Sequence, residues 1–179
     1  MKRAFLIPGF KQDAKEYTSL IEGLKQEGYS PIALKINWKT DDFNDYVSQV
    51  KSQLRHYGSK DSDKLIGFSW GANIALHVEF KGEKILCSPS DIYSGNEGTK
   101  NWLTAIAKKM KPEESPRTLD YSKSEKRGLN LKGNEKVIII VGDSEQQMYK
   151  DFARELSDKL ELNQKGKEIV YAHGAKHNI

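Results

Sequence analysis

The sequence predicts an α/β protein, a single-domain three-layer α/β/α sandwich around a mostly parallel six-stranded sheet. Apolar runs rich in β-branched residues alternate with stretches of helical periodicity from end to end, which is typical of βαβ units. The length of 179 residues suits one domain that buries a core of its own. We therefore expect one domain over residues 1–179, with the strands in the order 2-1-3-4-5-6.

The predicted strands and helices follow one another along the chain. The strands are placed near 2–7, 31–36, 63–68, 84–88, 136–141 and 167–172. The helices are placed near 13–27, 43–54, 72–80 and 149–160. Apolar residues in the second and fourth helices recur close to i, i+3, i+4 and i+7, which gives each one a face to pack on a sheet. Gly28 is the expected C-terminal stop of the first helix.

The connection between the fourth and fifth strands is unusually long. It is a polar insertion over about 89–135 that is punctuated by Gly and Pro. One amphipathic helix is predicted inside it, with Trp102, Ile106 and Met110 on its apolar face. Connections of this length are either lids over a site or ordinary crossovers, and the sequence leaves both interpretations open.

Charge and cysteine content narrow the class of function. The net charge is +4, and residues 100–136 hold ten Lys and Arg against five Asp and Glu. This segment lacks the interleaved aromatic residues of a nucleic-acid surface, so no nucleic acid is expected as a partner. The single Cys87 excludes an internal disulfide and indicates a reducing, cytoplasmic setting. No stretch is long enough for a membrane span, and the N-terminal apolar run is too short for a signal peptide.

A GxSxG motif follows the third predicted strand. The five residues Gly67-Phe68-Ser69-Trp70-Gly71 stand between an apolar strand and a helix. A serine hydroxyl becomes an effective nucleophile when a tight turn raises it above the sheet toward a base, and glycines on both sides give the backbone room to bend. Ser69 is therefore the candidate nucleophile.

An acid and a histidine follow two later strands. In a parallel sheet, ligands bind beyond the carboxyl ends of the strands. Gly142-Asp143-Ser144-Glu145 follows the fifth strand, and His173-Gly174-Ala175-Lys176-His177 follows the sixth. The order Ser, Asp or Glu, His is that of a nucleophilic triad. No phosphate-binding GxGxxG or GxxxxGK[ST] loop follows any strand, so no cofactor is expected.

In these motifs the sequence resembles the α/β-hydrolase family over nearly its whole length. The resemblance implies Ser69 as the nucleophile at the elbow. It favours His177 over His173 as the base, because Gly174-Ala175-Lys176-His177 is similar to the turn before the family's histidine. It places the acid at Glu145, three residues after the strand-ending glycine, with Asp143 as the rival.

The resemblance also implies an oxyanion hole and a minimal version of the fold. The family often has His-Gly where this chain has Pro8-Gly9. The oxyanion donors are backbone N–H groups, expected here from Phe10 and Trp70. The sequence starts at the strand before this loop and stops two residues after His177, so a fold without the family's leading strands and terminal helix is expected.

The implied function is a serine esterase or thioesterase that forms an acyl-enzyme on a small-molecule acyl substrate. A non-catalytic binding protein with the same fold and an acyltransferase with the same triad are the alternatives. Trp38 and Trp102 are candidate walls of an apolar acyl pocket, or residues that only pack. A metal site on His173 and His177 is not expected, because no third ligand is near them in the sequence.

Overall fold

A computed structural model describes residues 1–39, 43–89, 136–161 and 168–175. Within these ranges the strands are β1 (Lys2–Ile7), β2 (Tyr29–Ala33), β3 (Lys64–Phe68), β4 (Glu83–Cys87), β5 (Lys136–Gly142) and β6 (Glu168–Ala172). They form one sheet in the order β2-β1-β3-β4-β5-β6, and every neighbouring pair is parallel. The predicted sheet and strand order are confirmed. Trp102, His177 and nearly all of the predicted insertion lie outside the described residues.

Helices cover both faces of this sheet. They are α1 (Thr18–Gln26), which continues a short 3₁₀ turn at Ala14–Tyr17, then α2 (Phe43–Tyr57), α3 (Trp70–His77) and α4 (Gln147–Glu161). Alternate strand residues point to opposite faces. Leu6 and its neighbours pack with α1, whereas Phe5 and Ile7 pack with the cluster that includes α2, α3 and α4. The three-layer α/β/α arrangement is therefore confirmed.

Capping residues begin the 3₁₀ turn that precedes α1 and end α1 itself. The Asp13 side chain accepts a hydrogen bond from the Lys15 N–H at 2.7 Å, and the Glu16 side chain accepts one from the Asp13 N–H. This reciprocal pair is a capping box. At the other end Gly28 has a φ of +80°, and its N–H donates to the Lys25 carbonyl at 3.0 Å. Gly28 is the helix stop that the sequence predicts.

Strand β2 is shifted from its predicted position at 31–36. The Leu34 N–H still donates to the Leu6 carbonyl at 2.8 Å, after which the chain leaves the sheet. The N–H groups of Lys35 and Asn37 donate instead to the side chains of Gln53 and Gln49 on α2. Because these glutamines satisfy the backbone, residues 35–37 need no strand partner.

Helix α3 ends at His77 instead of continuing to residue 80. Val78 has extended backbone angles, φ −95° and ψ 125°. Val78 and Phe80 are buried in the core, and a Cβ on Gly82 would lie 2.0 Å from the Asp63 carbonyl oxygen. The early end lets the chain turn tightly against Asp63 and enter β4. None of the helices that the structure describes has the length and apolar character needed to cross a bilayer.

Candidate active site

Ser69 occupies a strained turn between β3 and α3. Its φ of 49° and ψ of −113° lie in a region that residues with a side chain rarely adopt. Such a conformation costs about 1–3 kcal/mol and persists only when its surroundings impose it. Here the Ser69 N–H donates to the Cys87 carbonyl at 2.9 Å, and the Ser69 carbonyl accepts from Ala72 at 3.0 Å. The β4 end and the first turn of α3 together hold the serine in place.

The two glycines of the motif are required by close backbone contacts. A Cβ on Gly67 would lie 2.3 Å from the Gly71 carbonyl oxygen. A Cβ on Gly71 would lie 2.3 Å from the Ile7 carbonyl oxygen and 2.5 Å from that of Pro8. The elbow is therefore pressed onto the end of β1. This contact brings Ser69 beside the loop that follows β1, where the oxyanion donors are expected.

The predicted oxyanion residues meet at this contact. The Phe10 ring packs against the Trp70 ring with centroids 5.8 Å apart, and against the Trp38 ring at 5.4 Å. Trp70 is the first residue of α3, so its N–H is one of those that helix geometry leaves without an intrahelical acceptor. Such N–H groups, at the positive end of the helix dipole, favour negative charge. The arrangement is suited to an oxyanion.

Glu145 is a buried carboxyl group with two hydrogen-bond donors. Only 6% of it is exposed, and its Oε1 accepts from the Gly142 N–H at 2.8 Å and from the Ser88 hydroxyl. Ser88 directly follows β4 and is also buried, with a φ of +48°. Sequence analysis missed Ser88, although a polar residue just after a buried strand was the signal that could have found it.

Burial and the charge of Glu145 raise the pKa values of two neighbouring side chains. Burial raises the pKa of the Cys87 thiol to about 12, and the charge of Glu145 adds to this shift. Burial followed by the same charge raises the pKa of Tyr149 to about 12. Cys87 is thus a buried, protonated thiol and not a nucleophile.

Asp143 lies on the same turn but faces the surface. One oxygen lies 2.7 Å from His173 Nδ1, and the other accepts from the Gly174 N–H at 2.8 Å. The Gly174 N–H and then the His173 ring lower the pKa of Asp143. The His173 side chain is fully exposed. The structure thus pairs Asp143, the alternative acid, with His173, the less favoured base, at the protein surface.

The turn after β6 is attached to the turn that carries Glu145. The Asp143 N–H donates to the Ala172 carbonyl at 3.1 Å, and the Ser144 N–H donates to the Ala175 carbonyl at 3.2 Å. A Cβ on Gly142 would lie 2.1 Å from the same Ala175 oxygen. Ala175 precedes His177 by two residues. Ala175, two residues before the candidate base His177, therefore lies against the turn that carries Glu145.

A cavity of about 380 Å³ lies between the oxyanion loop and the residues around Tyr17 and Leu34. Pro8, Lys11 and Gln12 of the loop line it, together with Tyr17, Leu34 and Trp38. Trp38 thus lines a cavity and also packs on Phe10 and Tyr46. In the part of the chain that the structure describes, no three His, Cys, Asp or Glu side chains are grouped to hold a metal ion.

Solved structures share the fold of this chain. No family model matches the sequence, and no curated protein does. An α/β-hydrolase enzyme from the metagenome of Moroccan lagoon sediments superposes with a TM-score of 0.67 at 14% identity, covering 99% of this chain and 82% of its own. A monoacylglycerol lipase of Paleococcus ferrophilus gives 0.68 at 16%, covering 98% and 85%. A thioesterase from the prodiginine pathway of Streptomyces coelicolor gives 0.67 at 11%, covering 98% and 78%. The chain therefore has the α/β-hydrolase fold that its motifs resemble.

Proposed function

We propose that the protein is a serine hydrolase that cleaves a small carboxylic ester or thioester through an acyl-enzyme on Ser69. The observation that carries this proposal is the conformation of Ser69, at φ 49° and ψ −113° in an elbow pressed onto the oxyanion loop. Strained residues of this kind cluster at active sites and ligand sites. The α/β-hydrolase fold, shared with a lipase and a thioesterase, supports the same class of reaction.

The proposed reaction has two steps. In the first, the Ser69 Oγ attacks the carbonyl carbon while His177 takes the serine proton. The oxyanion is stabilised by the Phe10 and Trp70 N–H groups, and it collapses as the alcohol or thiol leaves with the proton from His177. In the second step, water gives a proton to His177 and attacks the acyl-enzyme. The carboxylic acid leaves, and the proton returns to Ser69.

Glu145 is the acid in this proposal. A triad carboxylate fixes the imidazole tautomer and stabilises the imidazolium, so it has to be held in one orientation. The Gly142 N–H and the Ser88 hydroxyl donate to Glu145 Oε1 and hold the carboxyl group in one orientation. The turn that leads toward His177 is bonded to the same loop through Ser144 and Ala175.

Labelling by a fluorophosphonate tests the proposal. We expect the wild-type protein to be labelled at Ser69 and to hydrolyse p-nitrophenyl acetate, and folded Ser69→Ala to do neither. Ser19→Ala on the exposed side of α1 is the matched control and should behave as wild type. Equal turnover by Ser69→Ala and wild type would remove the proposal. In the same assay His177→Ala should lose turnover, whereas His173→Ala should retain most of it.

A further inference from the structure

The Tyr17 hydroxyl is hydrogen-bonded to the oxyanion loop. It accepts a hydrogen bond from the Gly9 N–H at 3.0 Å and donates one to the Gln12 side-chain carbonyl. The Gln12 N–H in turn donates to the Gly9 carbonyl at 3.0 Å, which closes the loop into a turn. One phenol therefore contacts both ends of the segment that contains Phe10.

These bonds engage N–H groups of the loop other than that of Phe10. Pro8 has no N–H, and the N–H groups of Gly9 and Gln12 are used within the loop. Lys11 has a φ of +57°, so the chain bends sharply after Phe10. The Tyr17 hydroxyl thus binds the Gly9 N–H, and the next N–H along the chain is that of Phe10, which the proposed mechanism uses.

Tyr17 also contacts the nucleophile side of the site. Its ring stacks on Phe68 with centroids 4.2 Å apart and planes at 27°, and Phe68 directly precedes Ser69. A Cβ on Gly9 would lie 3.5 Å from the Phe68 carbonyl oxygen, so the loop passes close to the end of the elbow strand. The side chain therefore links the serine strand to the donor loop.

The hydroxyl keeps its proton over the whole working range of such an enzyme. Burial is the main cause that raises the pKa of Tyr17, to about 12. At neutral pH the phenol is neutral, so it can accept from Gly9 and donate to Gln12 at the same time. A phenolate would lose the second of these bonds.

We infer that Tyr17 is a positioning residue, whose hydroxyl holds the loop after β1 so that the Phe10 N–H points at the oxyanion formed on Ser69. The inference rests on the proposed function and adds the group that arranges its oxyanion hole. Loss of one oxyanion donor costs roughly 100- to 1,000-fold in kcat. Loss of a group that only orients the donor should cost less, about tenfold.

The test is Tyr17→Phe, which keeps the ring stacked on Phe68 and removes only the hydroxyl. We expect kcat for a small ester to fall about tenfold with KM within twofold, because the oxyanion exists only in the transition state. The ratio of ester to thionoester turnover should fall as well, since sulfur in place of the carbonyl oxygen makes poor use of an oxyanion hole. Tyr29→Phe removes a hydroxyl at the start of β2 and is the matched control.

The possible outcomes distinguish the role of Tyr17 from the proposed hydrolase activity. Wild-type turnover that depends on Ser69, with an unchanged ester to thionoester ratio in Tyr17→Phe, overturns the role of Tyr17 and leaves the hydrolase intact. Absence of Ser69-dependent turnover in the wild type overturns both. If Tyr17→Phe does not fold, Gln12→Ala removes the acceptor of the same hydroxyl and should lower kcat and the ratio in the same direction.

Discussion

Glu145 and Asp143 lie on one turn, but their carboxyl groups have different surroundings. Glu145 is buried against Ser88, whereas Asp143 binds the exposed His173. We expect Glu145→Gln to lower kcat/KM by about 100-fold or more, because the imidazole loses the group that fixes its tautomer. Asp143→Asn should stay within about threefold of the wild type. Steady-state hydrolysis of one ester by both variants measures the difference.

Each of these substitutions is isosteric and removes one potential negative charge, so each serves as the control for the other. Asp143→Asn should also leave the melting temperature nearly unchanged, since an exposed ion pair contributes little to stability. Loss of activity in Asp143→Asn alone would make Asp143 the acid, and His173 would then be the base.

At the scale of the element, the elbow depends on the contact between α3 and β1. Gly71 and Gly23 both lie within helices, but only at Gly71 would a Cβ meet backbone atoms, with the Ile7 oxygen 2.3 Å away. At Gly23 nothing lies within 4 Å. We expect Gly71→Ala to destabilise the protein by about 1–3 kcal/mol or more. Gly23→Ala should stabilise it by about 0.5–1 kcal/mol through helix propensity.

Urea unfolding of the two variants, together with their ester turnover, checks this expectation. Since both substitutions replace a helical glycine by alanine, the difference between them isolates the steric contact. Gly71→Ala should also lose turnover, because the elbow must move away from the Pro8 loop. Equal stabilities would mean that the elbow tolerates a wider spacing from β1 than its contacts indicate.

At the scale of the whole molecule, stability should fall at alkaline pH. The Cys87 thiol has a pKa raised from 9.0 to about 12 in the folded protein. Between these values the unfolded chain has released its proton and the folded chain has not. The contribution of Cys87 is therefore complete below pH 9 and is lost as pH rises toward 12, with a slope of up to about 1.4 kcal/mol per unit.

The free energy of unfolding in urea, measured at half-unit steps from about pH 8 to about pH 11, tests this dependence. Cys87→Ala should flatten the curve between pH 9 and pH 10. Above pH 10 a residual fall should remain in both proteins, because burial also raises the pKa of Tyr17 and Tyr149 from 10.0 to about 12. Parallel curves between pH 9 and pH 10 would show that the thiol ionises alike in both states.

Local patterns were enough to predict the architecture and the tight turn at Ser69. Apolar runs separated by helix-length segments determine a parallel sheet, because parallel strands need crossover connections. The elbow is likewise local, since strand, glycines, serine and helix are contiguous around Ser69. The end of β2 was predicted too late because Gln53 and Gln49, on a helix further along the chain, satisfy N–H groups at residues 35 and 37.

Residues that support the site depend on contacts that sequence patterns do not contain. Ser88 and Glu145 are 57 positions apart and meet only after β4 and β5 pair. The different surroundings of Asp143 and Glu145 have the same origin, since their partners come from separate strand ends. The role of Tyr17 was hidden because a tyrosine on the apolar face of a predicted helix is expected to pack, and it does pack, on Phe68.

The bonded turns after β5 and β6 also have a consequence for how activity is lost on heating. Strand β6 lies at the edge of the sheet formed by the described strands, and Tyr171 in it is 44% exposed. Edge elements with few buried contacts open locally at a lower free energy than the whole fold. If β6 frays, the residues that lead to His177 leave the acid-bearing turn while β1, β3 and β4 stay packed. Thermal inactivation should then be reversible, and it should precede melting.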